Sequence, residues 1–318
     1  MINPINLPTP RDPDNRLLTR VVLALLAAVV LTVGAFAAYY YWDRYVAIGD
    51  QSPVERNIAH LEQMVRKNPE DAETRLSLAQ YYLENAMYAK ALDQTQQILK
   101  AYPDSEGALF IVGVASGRSG QPQAALEPLE KLAAMRRKSP MAKIDTVLQA
   151  TLYYLGENYV KLDTTDKAIA VLGEALTIDR TDADALYQLG VAYAQGGQHQ
   201  LAVEQWQQAV LFVPDHADAY RQMANSYGAL SMPDYAIYAR AMAAYSSQDY
   251  AQARTALEQA AARLPDFPAV HLGLGLTYEH LKEFQLAAQS YQRVLAVDPH
   301  NLVATYGLER IHATTGNK

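Results

Sequence analysis

The chain has 318 residues, 50% of them hydrophobic and 19% charged, with a net charge of −7 and a pI near 5.5. The acidic balance argues against a nucleic-acid binder, which needs a basic face to displace counterions from phosphates. With no cysteine, disulfides, thiolate metal sites, c-type haem attachment and cysteine nucleophiles are excluded. Tyrosine outnumbers phenylalanine by 22 to 5. A ring that packs like Phe but carries a hydroxyl suits thin, extended walls better than one thick core.

Residues 1–20 read as a disordered cytoplasmic tail, punctuated by Pro4, Pro8, Pro10 and Pro13. Val21 to Trp42 then runs without a charge. At about 1.5 Å per residue it reaches roughly 33 Å, enough for a hydrocarbon core of about 30 Å. Tyr39, Tyr40, Tyr41 and Trp42 stand where an aromatic belt would lie. Two readings compete. Val21 to Trp42 is a transmembrane anchor in the lipid bilayer, or Val21 to Gly34 is the apolar part of a signal peptide cleaved after Ala35-Phe36-Ala37. Continuation of the run through the aromatics favours the anchor. Arg11, Arg16 and Arg20 on the leading flank, against Arg44 beyond, place the N-terminus in the cytoplasm. The rest of the chain is then extracytoplasmic, in a periplasm or at the cell surface.

Residues 43–52 read as a linker, and Pro53 to Lys67 as a lone second helix closed by Asn68-Pro69-Glu70-Asp71. A motif then recurs at a spacing of 34. Its clearest copy has Leu186, Leu189 and Tyr193 on one helical face, Gly190 and Ala202 as small residues at the helix crossing, then Trp206, Ala209 and the breaker Pro214. Leu78, Ala79, Tyr82, Ala91 and Pro103 form an earlier copy, and Val112, Gly113, Ala125 and Leu129 a looser one. About nine extra residues follow, and Pro140 to Leu162 reads as one lengthened helix with Pro140 in its first turn. Leu155, Gly156, Tyr159, Ala168 and Leu172 mark the next copy; Met223, Ala224, Tyr227 and Ala236 follow the clearest one. Between Pro233 and Pro265 the phase slips, because Ala236 and Ala253 both fit the small-residue place yet lie 17 apart. Either Tyr235–Tyr245 serves two neighbouring pairs or one helix is extra. Leu274, Gly275, Tyr278, Ala287, Tyr291 and Pro299 form the last full copy, and Leu302 to Thr314 reads as a capping helix.

The motif resembles the tetratricopeptide repeat. The resemblance covers about residues 53–314 of a repeat domain read as 53–318, and implies an all-α chain: a transmembrane helix followed by a right-handed α–α superhelix of about six to seven helix pairs. It also implies a concave groove, lined by the first helix of each pair, that holds another protein or a peptide segment. Carried over residue by residue, the lining is Tyr153, Glu157, Tyr187, Arg221 and Asn225. Arg221 and Asn225 stand four apart on one helical face, as a basic residue and an Asn do in members that clamp a peptide carboxylate. The rest of that clamp is missing, since the matching places in the next clear copy are Leu272 and Leu276. The alternative for Arg221 is an ion pair with Asp218 or Asp184. Tyr153 and Tyr187 can serve as anchors or as packing.

None of the seven histidines pairs with another across a carboxylate at metal-binding spacing, and no phosphate loop or nucleophile elbow is present. His199, His216 and His300 fall in turns expected to be solvent-exposed. Neither a cofactor nor a small-molecule substrate is expected. The sequence therefore predicts a non-catalytic, membrane-anchored protein-binding scaffold, an assembly factor or accessory subunit of an envelope membrane complex. The alternatives are an exported repeat protein released by cleavage and a regulatory module of an envelope enzyme.

Overall fold

A computed structural model describes residues 13–42 and 52–316; most of the expected tail and residues 43–51 of the expected linker lie outside the described residues. The chain divides into two compact units, Met1–Pro69 and Glu70–Lys318.

In the first unit α1 runs from Pro13 to Tyr41, starting ahead of the apolar run. Among the described residues it is the one helix long and apolar enough to cross a membrane, by length and composition, and Arg20 to Trp42 are all exposed. Midway along the charge-free run the Thr32 hydroxyl is satisfied locally, as an apolar medium requires: Thr32 Oγ1 donates to the Ala28 and Val29 carbonyls at 3.0 and 2.9 Å. Helix α2 (Pro53–Lys67) starts on a reciprocal cap. The Glu55 N–H donates to Ser52 Oγ at 3.2 Å, and the Ser52 N–H donates to the Glu55 carboxylate at 2.7 Å.

The second unit is all helix among its described residues, apart from turns. Four antiparallel pairs come first: α3 (Ala72–Glu84) with α4 (Tyr88–Ala101), α5 (Glu106–Arg118) with α6 (Pro122–Arg136), α7 (Thr146–Lys161) with α8 (Thr165–Ile178), and α9 (Ala183–Gln195) with α10 (His199–Phe212). Then come α11 (Ala217–Ala229), α12 (Pro233–Ser246), α13 (Tyr250–Arg263), α14 (Pro268–His280), α15 (Phe284–Val297) and α16 (Leu302–Thr315).

A backbone signature marks each turn within a pair. Ala86, Gly120, Asp163, Gly197, Ser231, Gln248 and Lys282 all have φ between 56° and 80°. The next N–H reaches back to close the first helix, as Gln198 N–H does to Tyr193 C=O at 2.8 Å. Ser231 is 34 residues past Gly197, but Gln248 is only 17 past Ser231. The phase slip is thus resolved: α12 is the second helix of the α11–α12 pair and the first helix of the α12–α13 pair. Its packing agrees, with close contact to α11 on one side and α13 on the other. Ala236, Ala239, Ala241 and Ala243 are all buried, because a helix with two close partners needs small residues on two faces.

The lengthened helix expected over Pro140–Leu162 is not formed. A 3-10 turn covers Ala142–Ile144, and α7 starts only at Thr146. Asp145 fixes that start, accepting from the Val147 and Leu148 N–H groups at 2.9 and 3.1 Å while Arg136 grips its carboxylate.

Large residues of second helices insert where first helices are small. Tyr291 is fully buried between α14 and α16, where a Cβ on Gly275 or Gly307 would stand 2.5 or 2.4 Å from its ring. Its hydroxyl donates to Glu279 Oε2 at 2.7 Å, and Arg310 of α16 grips the same carboxylate at 2.7 and 2.9 Å. Those hydrogen bonds, Arg310 first, hold the Glu279 carboxyl below its ordinary range. A depressed pKa contributes stability that is present above the unfolded value and lost as pH falls through the folded one, below about pH 4. Amide protection, taken relative to the intrinsic exchange rate at each pH, should therefore fall more in α16 than in α9 between pH 6 and pH 3. In Glu279→Gln the excess should vanish; an equal loss of protection in both helices of the unmodified chain would sink the claim.

Candidate partner-binding groove

The first helices lie side by side through the second unit: α3 beside α5, α5 beside α7, α7 beside α9, α9 beside α11, then α12 beside α14 and α14 beside α16. In α7, α9, α11, α12 and α14 the residue ten before the left-handed turn residue occupies an equivalent place: Tyr153, Tyr187, Arg221, Tyr238 and Leu272. Four residues further on lies a second row of Glu157, Val191, Asn225, Met242 and Leu276. The rows are polar at the α7 end and apolar at the α14 end.

The five residues read from the sequence fall into two clusters. Tyr153 packs edge-on against Tyr154, with ring centres 5.0 Å apart. Its hydroxyl is pushed above the usual tyrosine range by burial, then by the nearby charges of Glu157 and Asp184. Glu157 is buried, with Lys161 Nζ at 3.1 Å and Arg118 at 3.6 Å. That carboxylate is neutralised within the unit, so its first role is to hold α5 against α7. Tyr187 is half-buried and stacks on His216 with ring centres 4.8 Å apart. His216 is not a free turn residue: its ring caps α11, accepting from the Ala219 N–H at 3.3 Å. His199 is half-buried too, with Nδ1 3.1 Å from Ser226 Oγ. Arg221 forms an ion pair with Asp218 and donates to Ser247 Oγ at 3.2 Å. Asn225 Nδ2 reaches Gln222 Oε1 at 3.5 Å. The Arg221 and Asp218 side chains are 55% and 65% exposed, so the pair is solvent-screened and exchangeable for an incoming carboxylate. The repeated tyrosines Tyr82, Tyr159, Tyr227 and Tyr278 are buried, while Tyr193 is half-buried.

The apolar end of the rows was not legible as a site. There a cavity of about 430 Å³ opens among α10, α11, α12, α14 and α16. Tyr220, Tyr238, Met242 and Tyr245 form one wall; Leu272 and Leu276 face them, and Leu211 and Val303 border it from α10 and α16. The signal that could have found it is the 17-residue step, which makes Tyr238 and Met242 the counterparts of Tyr187 and Val191.

The fold defines an all-α helical-repeat protein. The chain belongs to the tetratricopeptide repeat family. The family's pattern matches residues 56–106, 76–140, 184–216 and 238–301, and a further TPR repeat pattern matches 156–197. Cellulose synthase 1 operon protein C of Komagataeibacter xylinus is 30% identical over 143 residues, which are 45% of this chain but 10% of that protein. The match thus spans about a tenth of the relative's length. The crystal structure of MamA protein superposes with a TM-score of 0.50 at 23% identity, covering 58% of this chain and 96% of its own. A MamA RS-1 double mutant superposes with a TM-score of 0.50 at 19% identity, covering 57% and 96%. These structures carry the same α–α solenoid fold.

Proposed function

We propose that this chain is a membrane-anchored, non-catalytic scaffold whose groove holds a segment of a partner protein at an envelope complex. One observation carries the reading. A single chain combines an exposed apolar helix of membrane-spanning length with a continuous layer of first helices presenting aromatic, charged and apolar rows. In this reading residues 1–20 are a cytoplasmic tail, 21–42 the span, 43–52 a linker and 53–318 the extracytoplasmic repeat domain. The named relative is the product of a cellulose synthase operon, which supports an accessory role beside an enzyme rather than a catalytic one. A second reading, release after cleavage at Ala35-Phe36-Ala37, predicts a soluble product beginning near Tyr39.

The test is co-purification of the full chain from membranes in mild detergent. We expect a near-stoichiometric partner and an intact N-terminus by mass. Replacing Tyr187 and Arg221 together by alanine should reduce the partner several-fold while the helical circular dichroism signal is retained. Undiminished partner recovery overturns the groove assignment. Protease resistance of residues 43–318 in intact spheroplasts overturns the orientation.

A further inference from the structure

The half-step at α12 breaks the regular 34-residue repeat. It puts two consecutive helices, α11 and α12, into the inner layer, so three tyrosines meet at one cavity. Tyr220, Tyr238 and Tyr245 all line it, and their rings are buried or half-buried. None of the three hydroxyls has a hydrogen-bond partner among the described residues, whereas Tyr159, Tyr278 and Tyr291 each donate to a glutamate. The hydroxyl oxygens keep contact with the open side of the cavity, so three that make no hydrogen bond inside the protein are free to donate to or accept from an occupant. Burial pushes Tyr220 and Tyr245 up to about 12 and Tyr238 well above the ordinary value, so all three stay neutral and able both to donate and to accept.

The remaining lining selects the occupant. Met242, Leu272 and Leu276 are apolar, and the one charged lining residue is the carboxylate Asp215. A chain-terminal carboxylate would meet that negative charge and no cation in the lining, so an internal segment fits and a C-terminus does not. A volume of about 430 Å³ lies at the small end of the range of ligand pockets, roughly 300–1,000 Å³. It suits a large side chain with its neighbour rather than a cofactor. An occupant with an apolar body and a polar edge satisfies both the walls and the open hydroxyls, which describes indole and phenol side chains.

We propose that this cavity is an anchor pocket for a Trp or Tyr side chain carried by an internal segment of the partner protein. The proposal rests on the groove reading above and deepens it.

The test uses the full chain in lipid nanodiscs with ¹³C-methyl methionine. The probes are capped pentapeptides, Ser-Gly-X-Gly-Ser, with X as Trp or Ala, and a Trp peptide ending in a free carboxylate at that residue. The Met242 methyl signal, assigned through Met242→Leu, should shift saturably with the capped Trp peptide. Binding should be at least ten-fold weaker for the Ala and carboxylate-ended peptides. Val303→Glu, at a side chain 46% exposed, should weaken the Trp peptide several-fold without unfolding the chain. Tyr238→Phe should do the same while leaving Tm unchanged or higher, because its hydroxyl has no internal partner to lose. A lowered Tm in Tyr238→Phe, equal binding of the carboxylate-ended peptide, or a Met242 signal unmoved at millimolar Trp peptide each overturn the proposal. If Met242 stays unmoved while the partner still co-purifies, the pocket fails and the scaffold reading stands; if the partner is lost too, both fail.

Discussion

Trp206→Ala should lower the stability of the repeat unit by about 3–5 kcal/mol, the range for a fully buried aromatic cut back to a methyl. Trp206 is 0% exposed, and its indole Nε1–H donates to the Tyr187 carbonyl at 3.0 Å. The site cannot close over the lost ring by local collapse. Gly190 faces it with no side chain, in a space where a Cβ would stand 2.4 Å from the indole nitrogen. The cavity term therefore adds to the transfer term. Repeat arrays are held mainly by neighbour-to-neighbour contacts, so the loss should localise. Amide exchange should accelerate first in α9 and α10, with α3 and α15 following only at higher urea. Urea unfolding followed by circular dichroism measures the total. A change below about 1 kcal/mol would falsify the view that this ring is the keystone of its pair. Trp206→Phe separates the two terms, since it keeps most of the volume and loses the hydrogen bond, for which about 1 kcal/mol is expected. The same substitution reaches the groove, because Tyr187 loses the donor on its carbonyl and stands one helical turn from Val191.

Most of the fold was legible because its determinants are local. Leu189, Gly190 and Tyr193, then Ala202 and Trp206, are positions where helix geometry alone decides what fits, and they recur at constant spacing. The lengthened helix over Pro140–Leu162 was misread for a local reason as well: Asp145 caps α7 with a carboxylate that Arg136, nine residues earlier, also holds. The site was less legible. Tyr153, Glu157, Tyr187, Arg221 and Asn225 could be placed on first helices, but not their partners. The Arg118 and Lys161 contacts to Glu157, and the stacking of His216 on Tyr187, join different helices. The apolar cavity was hidden more deeply. Its tyrosines take groove places only if α12 counts as a first helix, and the sequence left that open. Backbone conformation decides it: Gln248, a residue with no intrinsic preference for positive φ, takes the place that Gly197 takes one and a half repeats earlier.

The double duty of α12 carries the second large prediction. In a regular pair the small residue on the second helix faces one partner, and a bulky replacement strains one seam. In α12, Ala236 takes in the α11–α12 pair the place that Ala202 takes in α9–α10, while Ala241 takes in the α12–α13 pair the place that Gly190 takes in α9–α10. They are both 1% exposed. Either alanine replaced by leucine overpacks its seam, at a cost of about 1–3 kcal/mol. The helix is one rigid rod, so displacement on one face moves the other. Ala236→Leu should therefore raise amide exchange in α13 and α14 as well as α11, and Ala241→Leu should raise it in α11 as well as α13. Ala202→Leu, on a second helix with one pair to serve, should leave α13 and α14 protected. Both α12 variants should also shift the Met242 methyl signal without any peptide, because Tyr238 and Met242 ride on the same helix. Exchange confined to the substituted seam would mean that α12 belongs to one pair alone. The cavity would then be an accident of packing between separate repeats, and its three open hydroxyls would need another explanation.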